Sequence, residues 1–132
     1  MNITYQFDLT PETDAIITLY ENAGLNRPTK DKARIGKMYE NSNLVISAWD
    51  GDLLVGIARS LSDFCHCCYL SDLAVRKDYQ KEGIGKKLIY LTREKISDES
   101  MLLLLSAPAA MEYYPKVGLE KVQNGFIINR KL

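Results

Sequence analysis

A strand that runs into a glycine-bearing loop, which in turn opens a helix, constrains this chain more than any other feature. Residues 69–75 (Tyr69, Leu70, Ser71, Asp72, Leu73, Ala74, Val75) read as the strand, and the loop is Gln80-Lys81-Glu82-Gly83-Ile84-Gly85-Lys86. Residues 86–96 follow, with Leu88, Leu91 and Ile96 on one side of a helix and charges between them. The first N–H groups of such a helix have no partner inside it, and the helix dipole adds partial positive charge at the same end. Glycine lacks a Cβ, so a phosphate can approach the amides closely. The spacing is not that of the P-loop, because no Ser or Thr follows Gly85-Lys86. It is not the dinucleotide fingerprint either, since no third glycine follows the Gly-x-Gly pair.

The remaining pattern organises around that unit. Residues 3–7 alternate as a short strand. Thr10 can cap a helix beginning at Pro11, with Glu12 and Asp14 in its first turn. Ile16, Leu19, Tyr20 and Ala23 keep helical spacing, and Gly24 can end that helix. A second helix is expected over 31–40, with Ile35, Met38 and Tyr39 on one face. Residues 44–49 and 53–59 read as strands joined at Asp50-Gly51, where both turn positions tolerate positive φ. The apolar run 101–106 has strand length and is expected to be buried on both faces. Pro108 can open a last helix that Gly118 closes, and residues 125–130 supply a final strand. An antiparallel front half, with a helix between the strands at Tyr69 and Met101, implies an α+β sheet in a single domain spanning residues 1–132.

Leu73-Ala74-Val75, a short polar loop and Gln80-x-x-Gly83-x-Gly85 together resemble the acetyl-CoA signature of the GNAT superfamily of acyl-CoA-dependent N-acetyltransferases. A second stretch, Ala110-Met111-Glu112-Tyr113-Tyr114-Pro115-Lys116-Val117-Gly118-Leu119, is similar to that family's closing segment. The resemblance covers nearly the whole chain. It implies the GNAT fold, a mixed and mostly antiparallel sheet flanked by helices, with acetyl-CoA as cosubstrate and a primary amine as acceptor. Carried over by position, the amides of Leu73, Ala74 and Val75 would hold the acetyl carbonyl and the pantetheine arm. Gln80 and the amides of Lys81, Glu82, Gly83, Ile84, Gly85 and Lys86 would hold the pyrophosphate. The side chains of Leu73 and Val75 serve core packing equally well. Tyr114 matches the tyrosine that protonates the departing thiolate. A phenol near pKa 10 is neutral at pH 7 and can donate to a thiolate of the usual range, about 8.5. Tyr113, roughly 100° further round the helix, is expected in the core.

The reaction sets three needs: donors for the oxyanion, a proton for sulfur, and removal of a proton from the amine. The third has no evident residue. Tyr69 and Ser71, facing the cofactor by the motif's spacing, offer no good base, and Asp72 is expected on the opposite face. Asp63 lies in the preceding turn, as a base or as a solvated loop charge; loss of the proton through a water chain fits best. Ala107 stands where the family often has an asparagine that touches the cofactor. These departures leave a non-catalytic acyl-CoA-binding or regulatory domain as one alternative, and a protein lysine or N-terminal acetyltransferase as another.

Zero formal net charge implies no broad basic face for nucleic acid. No apolar run approaches the roughly 20 residues of a membrane span. The start Met1-Asn2-Ile3-Thr4-Tyr5 lacks the basic and apolar regions of a secretion signal, so a cytoplasmic protein is expected, as a monomer or a homodimer. Cys65-His66-Cys67-Cys68 holds all the cysteines and the only histidine, with no second cluster to complete a zinc site, so no metal is expected. By the same resemblance, residues 19–39 would form much of the acceptor wall. They mix Glu21 and Asp31 with Arg27, Lys30 and Lys32, and so offer no acidic trough for a polycation. With Tyr39, Tyr69 and Tyr113 near the expected cleft, a small primary amine with an apolar or aromatic body suits it best.

Overall fold

The computed structural model describes residues 2–132. Its sheet follows chain order: β1 (Ile3–Gln6), β2 (Leu44–Asp50), β3 (Leu53–Ser62), β4 (Cys67–Val75) and β5 (Met101–Leu103). The first three pairings are antiparallel and β4–β5 is parallel, the crossover between them being helix α3 (Ile84–Ile96). Alternation along the strands divides the core into two layers. Ile16, Leu19 and Tyr20 of α1 (Thr13–Ala23) and Ile35 and Tyr39 of α2 (Lys32–Glu40) pack with Val45, Ile57 and Ala74 on one face. Ile84, Leu88, Ile89 and Ile96 of α3 pack with Ile46, Val55, Ala58 and Leu70 on the other. This is the α+β architecture expected, a mostly antiparallel mixed sheet flanked by helices.

Several boundaries differ from the sequence reading. Helix α1 begins at Thr13, with Glu12 as the cap residue, because Pro11 is buried rather than opening the first turn. The β2–β3 turn is Gly51-Asp52, one residue later than expected, and only Gly51 has positive φ (60°). Helix α3 starts two residues earlier, after Gly83 at φ 80°. Residues 108–116 form a 3₁₀ turn and then a single short helix, α4 (Tyr113–Lys116), with Gly118 at φ 101° behind it.

Two larger departures concern the far edge of the sheet. The run 101–106 is a strand only over Met101–Leu103, and it is not buried on both faces: Met101 is 58% and Leu105 62% exposed. The expected strand at 125–130 does not form; Phe126 is 100% and Ile128 98% exposed. The reason is common to both. A strand persists through hydrogen bonds to a neighbour, and β5 has β4 on one side and no strand on the other.

Candidate active site

β4 and β5 pair only at Cys67–Met101, Cys68–Leu102 and Tyr69–Leu103. Beyond that point β4 continues to Val75 with β3 on one side and no strand on the other, so the two strands part and open a cleft. The cleft, about 520 Å³, is walled by Leu73 and Val75 of β4, by the loop at Gln80, Lys81 and Gly83, by the start of α3, and by Tyr113 and Tyr114. Lys81 (φ 74°) and Gly83 (φ 80°) both take the left-handed conformation, which turns the loop sharply into the helix. The Gln80 side chain donates from Nε2 to the Val75 carbonyl at 3.1 Å and so fastens the loop to the strand. No side chain caps α3, so its first amides meet the cleft unpartnered within the helix.

Of the residues singled out in the sequence, Leu73, Val75, Gln80, Lys81, Gly83, Ile84, Gly85, Lys86 and Tyr114 meet at this cleft. Ile84 is buried in the core, so only its backbone faces out. Ala74 is buried against α1 and α2, and Glu82 is exposed and does not line the cavity. Apolar walls ending at an uncapped helix N-terminus fit a pantetheine arm carrying a pyrophosphate.

Tyr113 departs from the expected core position. It is 37% exposed, and a Cβ added at Gly85 would lie 2.8 Å from its hydroxyl, so the absence of a side chain at Gly85 makes room for the ring. Tyr114 is the more enclosed of the two, packed against the α3-side core and edge-on to Tyr113 at 5.2 Å between ring centroids. Burial raises both phenol pKa values, so both rings keep their protons at neutral pH.

On the opposite face lies a polar cluster that the sequence reading did not assemble. Asp72 is fully buried. Its Oδ2 accepts from Tyr20 at 2.6 Å and from Arg59 Nε at 2.8 Å, and its Oδ1 accepts from Arg27 Nε at 2.7 Å and Ser71 Oγ at 3.1 Å. Tyr39 hydrogen-bonds Tyr20, and Arg59 lies over the Tyr39 ring at 5.7 Å. Burial pushes the Asp72 carboxyl upward, but the hydrogen bonds and charges of Arg59, Tyr20 and Arg27 outweigh it and hold the pKa below the ordinary carboxylate range. The phenols of Tyr20 and Tyr39 are raised, chiefly by burial. A bulge makes this possible: Arg59 pairs with Asp72 while Ser60 pairs with Leu70, leaving Ser71 as the extra residue. Ser71 therefore does not face the cofactor as expected; its hydroxyl accepts from Arg59 Nη2 at 2.9 Å. Tyr39 and Arg27 are likewise removed from an open acceptor wall, Tyr39 by burial and Arg27 by its bond to Asp72. The one signal in the sequence was a charge inside each of two apolar strands, Arg59 and Asp72.

Asp63 ties its own turn together, its Oδ1 accepting from the amides of Cys65 (2.9 Å), His66 (2.8 Å) and Cys67 (3.0 Å). Those bonds hold its pKa well below the usual range, so it is a loop-ordering carboxylate and a poor proton acceptor. Cys65 and Cys67 are exposed and Cys68 is buried.

A strand pair that parts beside a glycine-opened helix, with a tyrosine pair across the gap, is the candidate site. Residues 19–129 match the family model described as the Acetyltransferase (GNAT) domain, and the chain belongs to that family of N-acetyltransferases. It is 28% identical over 131 residues to an uncharacterized N-acetyltransferase, ycf52, of Pyropia yezoensis, covering 89% of this chain and 74% of that one. A ycf52-like N-acetyltransferase of Prochlorococcus marinus is 28% identical over 91 residues, 64% of this chain and about half (51%) of the relative. Among solved structures, a probable acetyltransferase of unknown function from Staphylococcus aureus superposes with a TM-score of 0.83 at 23% identity, covering 98% of this chain and 100% of that one. The aminoglycoside N-acetyltransferase AAC(6')-Iy in complex with CoA gives 0.74 at 11% identity, over 99% and 96% of the two chains. The ribosomal-protein-S18-alanine N-acetyltransferase of Escherichia coli gives 0.75 at 17%, over 92% and 80%.

Proposed function

We propose that this protein transfers the acetyl group of acetyl-CoA directly to a small primary amine, with Tyr114 as general acid. The observation that carries the reading is that the open side of β4, the uncapped start of α3 and Tyr114 border one cleft. In this reading the amides of Leu73, Ala74 and Val75 hold the thioester carbonyl and the arm. The amides of Lys81, Glu82, Gly83, Ile84, Gly85 and Lys86 hold the pyrophosphate. Acetyl-CoA supplies an activated acyl carbon and a good thiolate leaving group. Hydrogen bonds aimed at the carbonyl stabilise the oxyanion as the amine attacks. Tyr114, kept protonated by burial, gives its proton to the leaving sulfur. Asp72 is ion-paired to two arginines and Asp63 is held by three amides, so neither is free to take the amine's proton, which favours a water route.

A small acceptor is supported by the aminoglycoside N-acetyltransferase among the structural neighbours and by the absence of net charge, which gives no long-range pull on basic proteins. The test is Tyr114→Phe under steady-state conditions with a turned-over amine. It keeps the ring and removes the proton, so kcat should fall by about 10²–10⁴ with CoA affinity nearly unchanged. A variant within about twofold of wild type would show that another group, or none, protonates the sulfur. Failure of any amine to release thiol while CoA still binds would point instead to an acyl-CoA-binding domain without catalysis.

A further inference from the structure

β4 changes face once along its length. Cys68 and Leu70 pack in the α3-side core, and strict alternation would send Asp72 and Ala74 to the same side. Leu73 and Val75 take that side instead and line the cleft. Asp72 turns to Tyr20 of α1, and Ala74 packs with α1 and α2. Ser71, the extra residue at the bulge, produces the shift. Leu73 and Val75 therefore reach the cleft only while Ser71 stays out of the ladder.

Two guanidiniums hold the bulge, from different places. Arg59 belongs to β3 and is buried; its Nη2 donates to Ser71 Oγ at 2.9 Å and its Nε to Asp72 Oδ2 at 2.8 Å. Arg27 lies outside the sheet, in the connection 24–31 between α1 and α2, and stays partly exposed. Its Nη2 donates to the Ser71 carbonyl, its Nε to Asp72 Oδ1 and its Nη1 to the carbonyl of Asn26, each at 2.7 Å. Two of these bonds grip the bulge and the third grips the connection itself. Among the described residues, no other side chain of 24–31 hydrogen-bonds β4.

We infer that Arg27 is a positioning residue for the acetyl transfer proposed above, on which its effect on rate rests. It ties the α1–α2 connection to the bulge and so sets the direction of the Leu73 amide that follows. The connection lies within the stretch expected to form the acceptor wall, so one guanidinium keeps the acceptor side and the cofactor strand in a single register. Arg27 acts through the bulge and touches neither reactant. An error of about 1 Å in such a placement lowers a rate by about 10²-fold. Lysine keeps the charge beside Asp72, but a single ammonium cannot fork across a carboxylate and two carbonyls in one plane.

The test is Arg27→Lys, with Arg27→Ala beside it, in the full chain. Calorimetric titration gives the CoA affinity and the number of CoA-binding sites, a steady-state assay with a turned-over amine gives kcat per site, and hydrogen exchange follows the two tied segments. In Arg27→Lys the CoA affinity should stay within about threefold of wild type, because the loop at 80–86 is untouched, while kcat per site falls at least about tenfold. The amides of 24–31 and 71–75 should exchange faster together, and those of 88–96 in α3 should keep their protection. Arg27→Ala should show the same pattern more strongly. A residue that served stability alone would reduce the number of CoA-binding sites and speed exchange throughout, with kcat per site at the wild-type value; that result overturns the inference. So does faster exchange in 24–31 with 71–75 unchanged, since the connection would then not govern the bulge. If the wild type releases no thiol with any amine, the acetyl-transfer reading falls, and the exchange pattern by itself decides whether Arg27 ties the two segments.

Discussion

Asp72→Asn is the substitution whose consequence is best defined by geometry. The carboxylate is fully buried, accepts four hydrogen bonds at 2.6–3.1 Å, and is ion-paired with two guanidiniums. Asparagine keeps the shape, but it removes the charge and turns one acceptor into a donor facing donors. Removing one partner of a buried ion pair costs about 3–5 kcal/mol, because the remaining charge stays uncompensated. A domain of this size has about 5–15 kcal/mol in total. With an unfolding entropy of about 2.1 cal/mol/K per residue, the loss corresponds to a fall in Tm of roughly 11–18 °C. Scanning calorimetry measures it, and urea unfolding at neutral pH gives an independent value. The pH dependence supplies a second signature. The folded pKa of Asp72 lies below its unfolded value of about 3.9, so its contribution is complete above that pH and is lost as pH falls through the folded pKa. The gap between wild type and variant should therefore be constant from about pH 7 to 5 and should narrow in stronger acid. A loss below about 1 kcal/mol, or a gap that ignores pH, would refute the claim that this carboxylate holds the cluster together. Replacing Asp72, Arg27 and Arg59 together by apolar residues should recover much of the lost stability, since no charge then remains buried alone.

Other predictions concern the cleft. Gly83→Val forces a β-branched residue to φ 80°, where nothing in the protein crowds a Cβ but the backbone itself is strained; CoA affinity by calorimetric titration should fall at least tenfold, about 1.4 kcal/mol, with the fold retained. Tyr113→Phe removes the hydroxyl beside Gly85 and keeps the ring; it should weaken CoA binding and leave kcat nearly intact, and the reverse pattern would transfer the acid role from Tyr114. In a side-by-side assay at fixed acetyl-CoA, arylalkylamines should give higher kcat/KM than spermidine or a histone-like peptide, and a clear preference for the peptide would make the acceptor a protein.

That residues of β4, the loop and α3 meet at one cleft was legible in the sequence, for a physical reason. A strand, a glycine-bearing loop and a helix start are continuous along the chain, so Leu73, Val75, Gln80, Gly83 and Gly85 come together through local conformation alone. Gly24 ending α1 at φ 75° was legible on the same grounds. The tyrosine pair was placed by family pattern, but which ring is open and which enclosed was settled by packing against Gly85 and α3.

What only the tertiary structure decided are the features whose parts lie far apart in sequence. The Asp72 cluster draws on positions 20, 27, 39, 59 and 72, and it depends on a one-residue bulge at Ser71 that no periodicity announces. The far edge of the sheet makes the same point from the opposite direction. The composition of residues 125–130 suggests a strand, and the structure has none there. A strand is a relation between two segments, and these residues pair with no strand even though β5 leaves an edge open.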